Sequence, residues 1–238
     1  MLKLTRRTST STRPWPRPAV MVTRKWLEGY SNGGLGLRHT TDGYAPLHQA
    51  ALNGYTITVC DLLDHGAKVD GSNNRAYWTA LAEACRHGHS EVVQVLLSRG
   101  TLTETHDYGF LCTSLTRAAI KGHTSIVVKM SDHDKTNIKG VDKEGRTALF
   151  HATLEEQAGT VEALLDRDAN TEIQDSMQST PLCRAAQSGR FAIVEKLLLA
   201  NANVYASNCH NWTPLSEASH HGHFKVAEAL LSQHRKPR

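Results

Sequence analysis

One tripeptide recurs along this 238-residue chain at an almost constant interval. Thr79-Ala80-Leu81, Thr113-Ser114-Leu115, Thr147-Ala148-Leu149, Thr180-Pro181-Leu182 and Thr213-Pro214-Leu215 are variants of one motif, and Ala45-Pro46-Leu47 is a sixth copy without the Thr. The steps between copies are 34, 34, 34, 33 and 33 residues. A fixed period of this length predicts a stack of near-identical units, each burying its apolar face against its neighbours. Such a stack presents a surface for binding rather than an enclosed reaction centre.

Each unit carries further marks in phase. An Ala follows the Leu by three residues (Ala50, Ala84, Ala118, Ala152, Ala185, Ala218), and the next residue is also small. A Gly closes the segment at Gly54, Gly88, Gly122, Gly189 and Gly222, followed in three units by His. An apolar pair such as Val92-Val93 or Ile193-Val194 comes next, and a Leu pair four residues on, as in Leu96-Leu97 or Leu197-Leu198. The Thr hydroxyl suits a helix N-cap, and Pro suits the first helical position. Leu and Ala three apart share a helix face, and the Gly permits the positive φ that ends a short helix. Apolar pairs spaced by four form the buried stripe of a second helix. The polar stretch between units reads as a turn or hairpin.

Six copies of this unit in phase resemble the ankyrin repeat, most fully at Pro46-Leu47-His48-Gln49-Ala50-Ala51 and over 180–202. The resemblance implies an all-α solenoid of helix-turn-helix pairs joined by hairpin loops and stacked into an elongated, curved array. It places the repeats at about 41–74, 75–108, 109–142, 143–175, 176–208 and 209–238, so that residues 41–238 form the repeat domain. Residues 20–40 then read as a degenerate N-terminal capping segment, or as the remnant of a longer array. Residues 1–19 read as a disordered basic tail.

The period degrades at one place. Met130-Ser131-Asp132 stands where other units have Leu-Leu, and Glu156 stands in the Gly slot of the fourth repeat. The junction around 128–158 is therefore expected to be the softest part of the stack.

Charge divides the chain. Residues 1–40 hold eight Lys and Arg against Glu28, a net +7, whereas the remainder holds 19 basic and 22 acidic residues, a net −3. A mildly acidic repeat body argues against nucleic acid, which calls for a basic stripe. The Arg-, Ser- and Thr-rich tail has the composition of a mitochondrial transit peptide, but Pro14, Pro16 and Pro18 interrupt any helix there. No apolar run is long enough for a membrane span. Five Cys without a C-x-x-C pair suit a reducing compartment, so a cytoplasmic or nuclear monomer is expected.

The fourteen His residues are densest at His220-His221-Gly222-His223. Gly222-His223 belongs to the repeat, and the cluster lacks the spacing of a helical zinc motif. No nucleophile, base and orienting group come together in the sequence. The expectation is a non-enzymatic interaction module, a scaffold or adaptor, with no cofactor, no metal and no small-molecule substrate. The alternative is the targeting or substrate-recognition part of a larger enzyme or effector.

In ankyrin arrays the hairpin tips and first helices line the concave face. That resemblance implies a partner-binding set of Tyr44, Arg75, Trp78, Arg86, Phe110, Lys121, Lys143, Arg146, His210 and Trp212. Tyr44, Trp78, Arg146 and Trp212 share the slot directly before the Thr or its substitute, and Tyr, Trp and Arg are the residue types that dominate binding hot spots. Met177 and Cys112 on the same face are expected to pack rather than to bind.

Overall fold

The computed structural model describes residues 46–71, 78–105, 112–134 and 136–234. The segments 1–19 and 20–40, and the candidate residues Tyr44, Arg75 and Phe110, lie outside the described residues. By internal contacts the chain divides at Leu37 and Arg38, and every structural statement below concerns the C-terminal unit.

Twelve helices in six pairs account for the regular structure of the described residues. The first helices are α1 (Pro46–Leu52), α3 (Ala80–His87), α5 (Ser114–Ile120), α7 (Ala148–Leu154), α9 (Pro181–Gln187) and α11 (Pro214–His220). The second helices are α2 (Thr56–Asp64), α4 (Ser90–Ser98), α6 (Thr124–Ser131), α8 (Ala158–Leu165), α10 (Phe191–Leu199) and α12 (Phe224–His234). Each first helix packs on the next first helix and each second helix on the next second helix, so two parallel rows enclose one continuous core.

The recurring tripeptide starts each first helix. The hydroxyl of Thr79, Thr113 and Thr147 accepts the backbone N–H three residues on at 3.2 Å, and that of Thr180 and Thr213 does so at 3.3 Å. Pro181 and Pro214 occupy the first helical turn, where a missing N–H costs nothing. The closing glycines all adopt positive φ, between 69° and 82°. In the fourth repeat Glu156 is forced into the same left-handed conformation, φ 59°.

The Gly-His pairs interlock neighbouring repeats. His89, His123 and His223 each donate from Nε2 to a carbonyl at the end of the previous first helix: Leu52 at 2.9 Å, Arg86 at 3.1 Å and Gln187 at 3.0 Å. Each imidazole lies where a Cβ on the preceding repeat's glycine would fall, 2.5 Å away at Gly54 and Gly189 and 2.8 Å at Gly88. These histidines belong to the frame.

The second helix α4 buries both apolar pairs, Val92-Val93 and Leu96-Leu97, and the others bury less than two full pairs. Val92, Val93, Ile126, Val127, Ile193 and Val194 are all buried, as are the leading leucines Leu62, Leu96, Leu164, Leu197 and Leu230. The second Leu of the pair turns about 100° around the helix and reaches the surface by the last repeat, where Leu231 is 46% exposed. Met130 fills the leading slot of the third repeat and is fully buried against Cys85, sulfur to sulfur 3.4 Å.

Candidate binding face

The hairpins and the exposed ends of the first helices form one face, and a side-chain clasp shapes each described hairpin. Asp142 Oδ1 accepts the backbone N–H groups of Glu144 and Arg146 at 2.8 and 2.9 Å. Asp175 does the same for Met177 and Ser179, and Asn208 for His210 and Trp212. Nine residues later a first-helix side chain closes the clasp. His151 Nε2 donates to Asp142 at 2.8 Å and Arg184 Nη2 to Asp175 at 2.7 Å. In the sixth repeat the polarity reverses: Asn208 Nδ2 donates to Glu217 Oε1 at 2.7 Å. Adjacent hairpins are tied by Ser176 N–H to the Glu144 carbonyl at 2.7 Å and by Cys209 N–H to the Met177 carbonyl at 2.9 Å.

This clasp accounts for Arg146. Its guanidinium donates to Asp142 and pairs with Glu144, so it is committed within its own hairpin. Burial pushes the Asp142 carboxyl up, but hydrogen bonds from Arg146, His151 and Glu144 outweigh it and hold the group below the usual carboxylate range. Burial lowers His151, against the pull of Asp142.

Cys112, Asp142 and His151 are all buried, and one donor atom from each lies within 4.8 Å of the others, the one such group of potential metal ligands among the described residues. The group does not fit an ion. The oxygens of Asp142 are already taken by two backbone N–H groups, Arg146 and His151, and a metal would have to displace a guanidinium. Nor is it a nucleophile: burial, then the charge of Asp142, raises the Cys112 thiol to about 11, so the thiolate is scarce at neutral pH. The sequence did not reveal this group because its members come from two repeats, up to 39 residues apart.

At the second and third repeats Trp78 is half-buried under two arginines. The Arg117 guanidinium lies 3.9 Å from the ring centroid and that of Arg86 4.9 Å. Beneath them Glu83 is fully buried; burial raises its carboxyl, and the charges of Arg86 and Arg117 oppose that rise. His87 Nε2 stands 3.9 Å from Glu83. Arg117 is lowered to about 10, by burial first and by Arg86 next. Arg117 did not stand out in the sequence, because its slot changes charge from unit to unit: Gln49, Glu83, Arg117, His151, Arg184 and Glu217. Arg86 and Lys121 are exposed at the ends of their helices, and Lys143 is exposed on its hairpin.

At the sixth repeat Trp212 meets the edge of His220 at 4.6 Å between centroids, and His220 meets His221 at 5.0 Å. A cleft of about 480 Å³ opens here, lined by Gln187, His210, Trp212, Glu217, His220 and His221. The structure therefore gathers Trp78, Arg86 and Lys121 around the second and third repeats, and His210 and Trp212 around the sixth. Arg146 is held inward between them. Met177 is 43% exposed, while Cys112 is buried.

The family model for ankyrin repeats (3 copies) matches residues 23–107, 101–175 and 157–237. Among curated proteins, the chain is 35% identical over 152 residues to the E3 ubiquitin-protein ligase XBAT33 of Arabidopsis thaliana, covering 53% of this chain and 29% of that one. It is 29% identical over 157 residues to the palmitoyltransferase AKR1 of Lachancea kluyveri, covering 63% of this chain and 21% of that one. The match thus spans less than a third of either relative. Among solved structures, the ankyrin repeat domain of Bcl-3, described as a member of the IkappaB protein family, superposes with a TM-score of 0.79 at 28% identity, covering 90% of this chain and 93% of that one. An ankyrin repeat domain from Acinetobacter baumannii gives 0.73 at 25% identity, covering 80% and 98%.

Proposed function

This chain belongs to the ankyrin-repeat family, and we propose on that premise that it is a non-enzymatic scaffold or adaptor that docks a protein partner on the face of hairpins and first helices. The observation that carries the reading is the division of labour on that face. Thr, Gly, the Gly-His imidazoles and the Asp142, Asp175 and Asn208 clasps are consumed by the frame. Trp78 and Trp212 are half-buried on this face beside the exposed Arg86, His210 and His220, and Trp and Arg are of the types that dominate interfaces. No described helix is long and apolar enough to cross a membrane. None of the five Cys is paired in a disulfide, which supports a reducing compartment and, with it, the cytoplasm or nucleus. Replacing Trp78 and Trp212 together by Ala abolishes capture of the partner in a pull-down while far-UV circular dichroism stays helical. Undiminished capture removes this face as the docking surface.

A second reading is favoured by the comparisons. The matched relatives named as a ligase and a palmitoyltransferase are more than three times as long as the matched segment. In that reading the repeats are the recognition part of a larger enzyme or effector. A transcript that extends the reading frame into a catalytic segment establishes it.

A further inference from the structure

The second and sixth repeats carry nearly the same first helix. Trp78-Thr79-Ala80-Leu81-Ala82-Glu83-Ala84-Cys85-Arg86-His87-Gly88-His89 aligns without a gap on Trp212-Thr213-Pro214-Leu215-Ser216-Glu217-Ala218-Ser219-His220-His221-Gly222-His223. In both, the Glu is buried and a His stands four residues on, His87 at 3.9 Å from Glu83 and His221 at 3.6 Å from Glu217. In both, the Trp precedes the capping Thr.

The two sites differ in what covers them. Over Trp78 lies Arg117, contributed by the first helix of the following repeat, with Arg86 beside it, and both charges act on Glu83. Over Trp212 no described residue places a guanidinium, and position 220 holds His in place of Arg86. Glu217 is 4% exposed and lines the cleft. Its Oε1 takes the Asn208 amide, but its Oε2 has no hydrogen-bond partner, and His221 at 3.6 Å is too distant to be one. A buried carboxylate oxygen left unpaired is costly unless a cation or donor offsets it. The equivalent side chains of the fourth and fifth repeats, His151 and Arg184, are both satisfied. Glu217 is the single carboxylate of the lining, and no Lys or Arg lines it.

We propose that this cleft of the sixth repeat receives an arginine side chain of the protein partner, laid against the Trp212 indole and facing Glu217 as Arg117 lies against Trp78 and acts on Glu83. A guanidinium suits the site better than an ammonium: it is planar, stacks on an aromatic face and offers paired N–H donors. The inference rests on the reading of this face as a docking surface and names the chemistry that one part of it takes.

The test uses the full chain with ¹⁵N-labelled indoles and the blocked tripeptide acetyl-Gly-Arg-Gly-amide as probe. The Trp212 indole resonance, assigned by its loss in Trp212→Phe, shifts saturably with the arginine peptide. The citrulline peptide, of similar shape but neutral, leaves it unmoved, and the lysine peptide binds more weakly. Glu217→Gln, which keeps the bond to Asn208, weakens the arginine peptide about tenfold. The Trp78 indole does not respond until Arg117→Ala uncovers it. A Trp212 resonance that ignores the arginine peptide, follows citrulline or lysine equally, or titrates unchanged in Glu217→Gln overturns the proposal. So does a response that requires deletion of residues 235–238, since the chain's own end then fills the site. If partner capture survives Glu217→Gln but not the paired Trp78→Ala and Trp212→Ala change, the docking face stands and the arginine assignment falls. If capture survives both, the docking face itself falls.

Discussion

The fourth and fifth repeats share one frame and solve it with different residues. Both cap the first helix with Thr, Thr147 and Thr180, and both hold the hairpin with an Asp, Asp142 and Asp175. The fourth closes its clasp with a titratable His151 and adds Arg146 to the same oxygen, whereas the fifth closes it with Arg184. Between its helices the fourth places Glu156 at φ 59°, where the fifth places Gly189 at φ 69°. Where the fifth repeat has Gly189 against His223, the junction from the third repeat to the fourth has Gln157 against Gly122. A repeat therefore specifies a backbone conformation at each slot rather than a residue, and the fourth repeat reaches the same conformation with less suitable side chains.

Removing the two clasps is the strongest way to separate these repeats. The Asp142 side chain is fully buried and serves four donors, so Asp142→Ala strands two backbone N–H groups and the buried His151 imidazole, and leaves Arg146 to Glu144 alone. The expected loss is about 3 kcal/mol, read as a lower denaturant midpoint. Asp175→Ala is expected to lose less, because the Asp175 side chain keeps 6% of its surface exposed and the Arg184 it frees is itself 26% exposed and can turn to water. Equal losses would break the comparison at its base.

Acid separates them next. Asp142 is held below its ordinary value, so its contribution is present above the unfolded carboxylate pKa and fades as pH falls toward the folded one. His151 is also lowered in the fold, so the unfolded chain binds its proton more readily, and stability falls as pH drops below about 6.5. Both groups weaken the fourth repeat on the acid side, with His151 acting first. The Arg184 clasp has no imidazole to titrate. As pH falls from 7 to 5, the protection factors of amides in 142–158 are expected to drop before those in 175–190. His151→Gln, which keeps a donor to Asp142 without a titrating ring, removes most of that difference, and an unchanged pH profile in this variant assigns the effect elsewhere.

Much of the frame is legible in the sequence because the slots that define it leave little choice of residue. Thr79 and its equivalents cap, Ala84 and its equivalents permit close helix approach, and Gly88 and its equivalents take positive φ. The clasp is not legible, because its closing partner is His151, Arg184 or Glu217 in successive repeats, and a slot that changes charge resembles a freely variable one. For the same reason Arg146, in register with Trp78 and Trp212, reads as a binding residue until Asp142 and Glu144 are seen to hold it. The cover over Trp78 was also hidden, since Arg117 lies 39 residues away in a different repeat.

The smallest expected effect concerns Glu156. A non-glycine residue in the left-handed region costs on the order of 1 kcal/mol, because its Cβ crowds the following carbonyl. The side chain recovers little: Glu156 is largely exposed, and its approach to Arg190, 3.6 Å, is a surface contact. Glu156→Gly is therefore expected to raise the unfolding midpoint slightly, a gain reduced by the extra freedom glycine gives the unfolded chain. Because stability in a solenoid is a sum of local and nearest-neighbour contributions, the gain is concentrated where the backbone relaxes. Native-state hydrogen exchange is expected to find 128–158 the least protected stretch of the repeats in the parent chain, and to find that deficit narrowed by Glu156→Gly. Protection equal to that of the fifth repeat in the parent would show that Met130, fully buried in its Leu slot, and the Asp142 clasp already offset the strained turn.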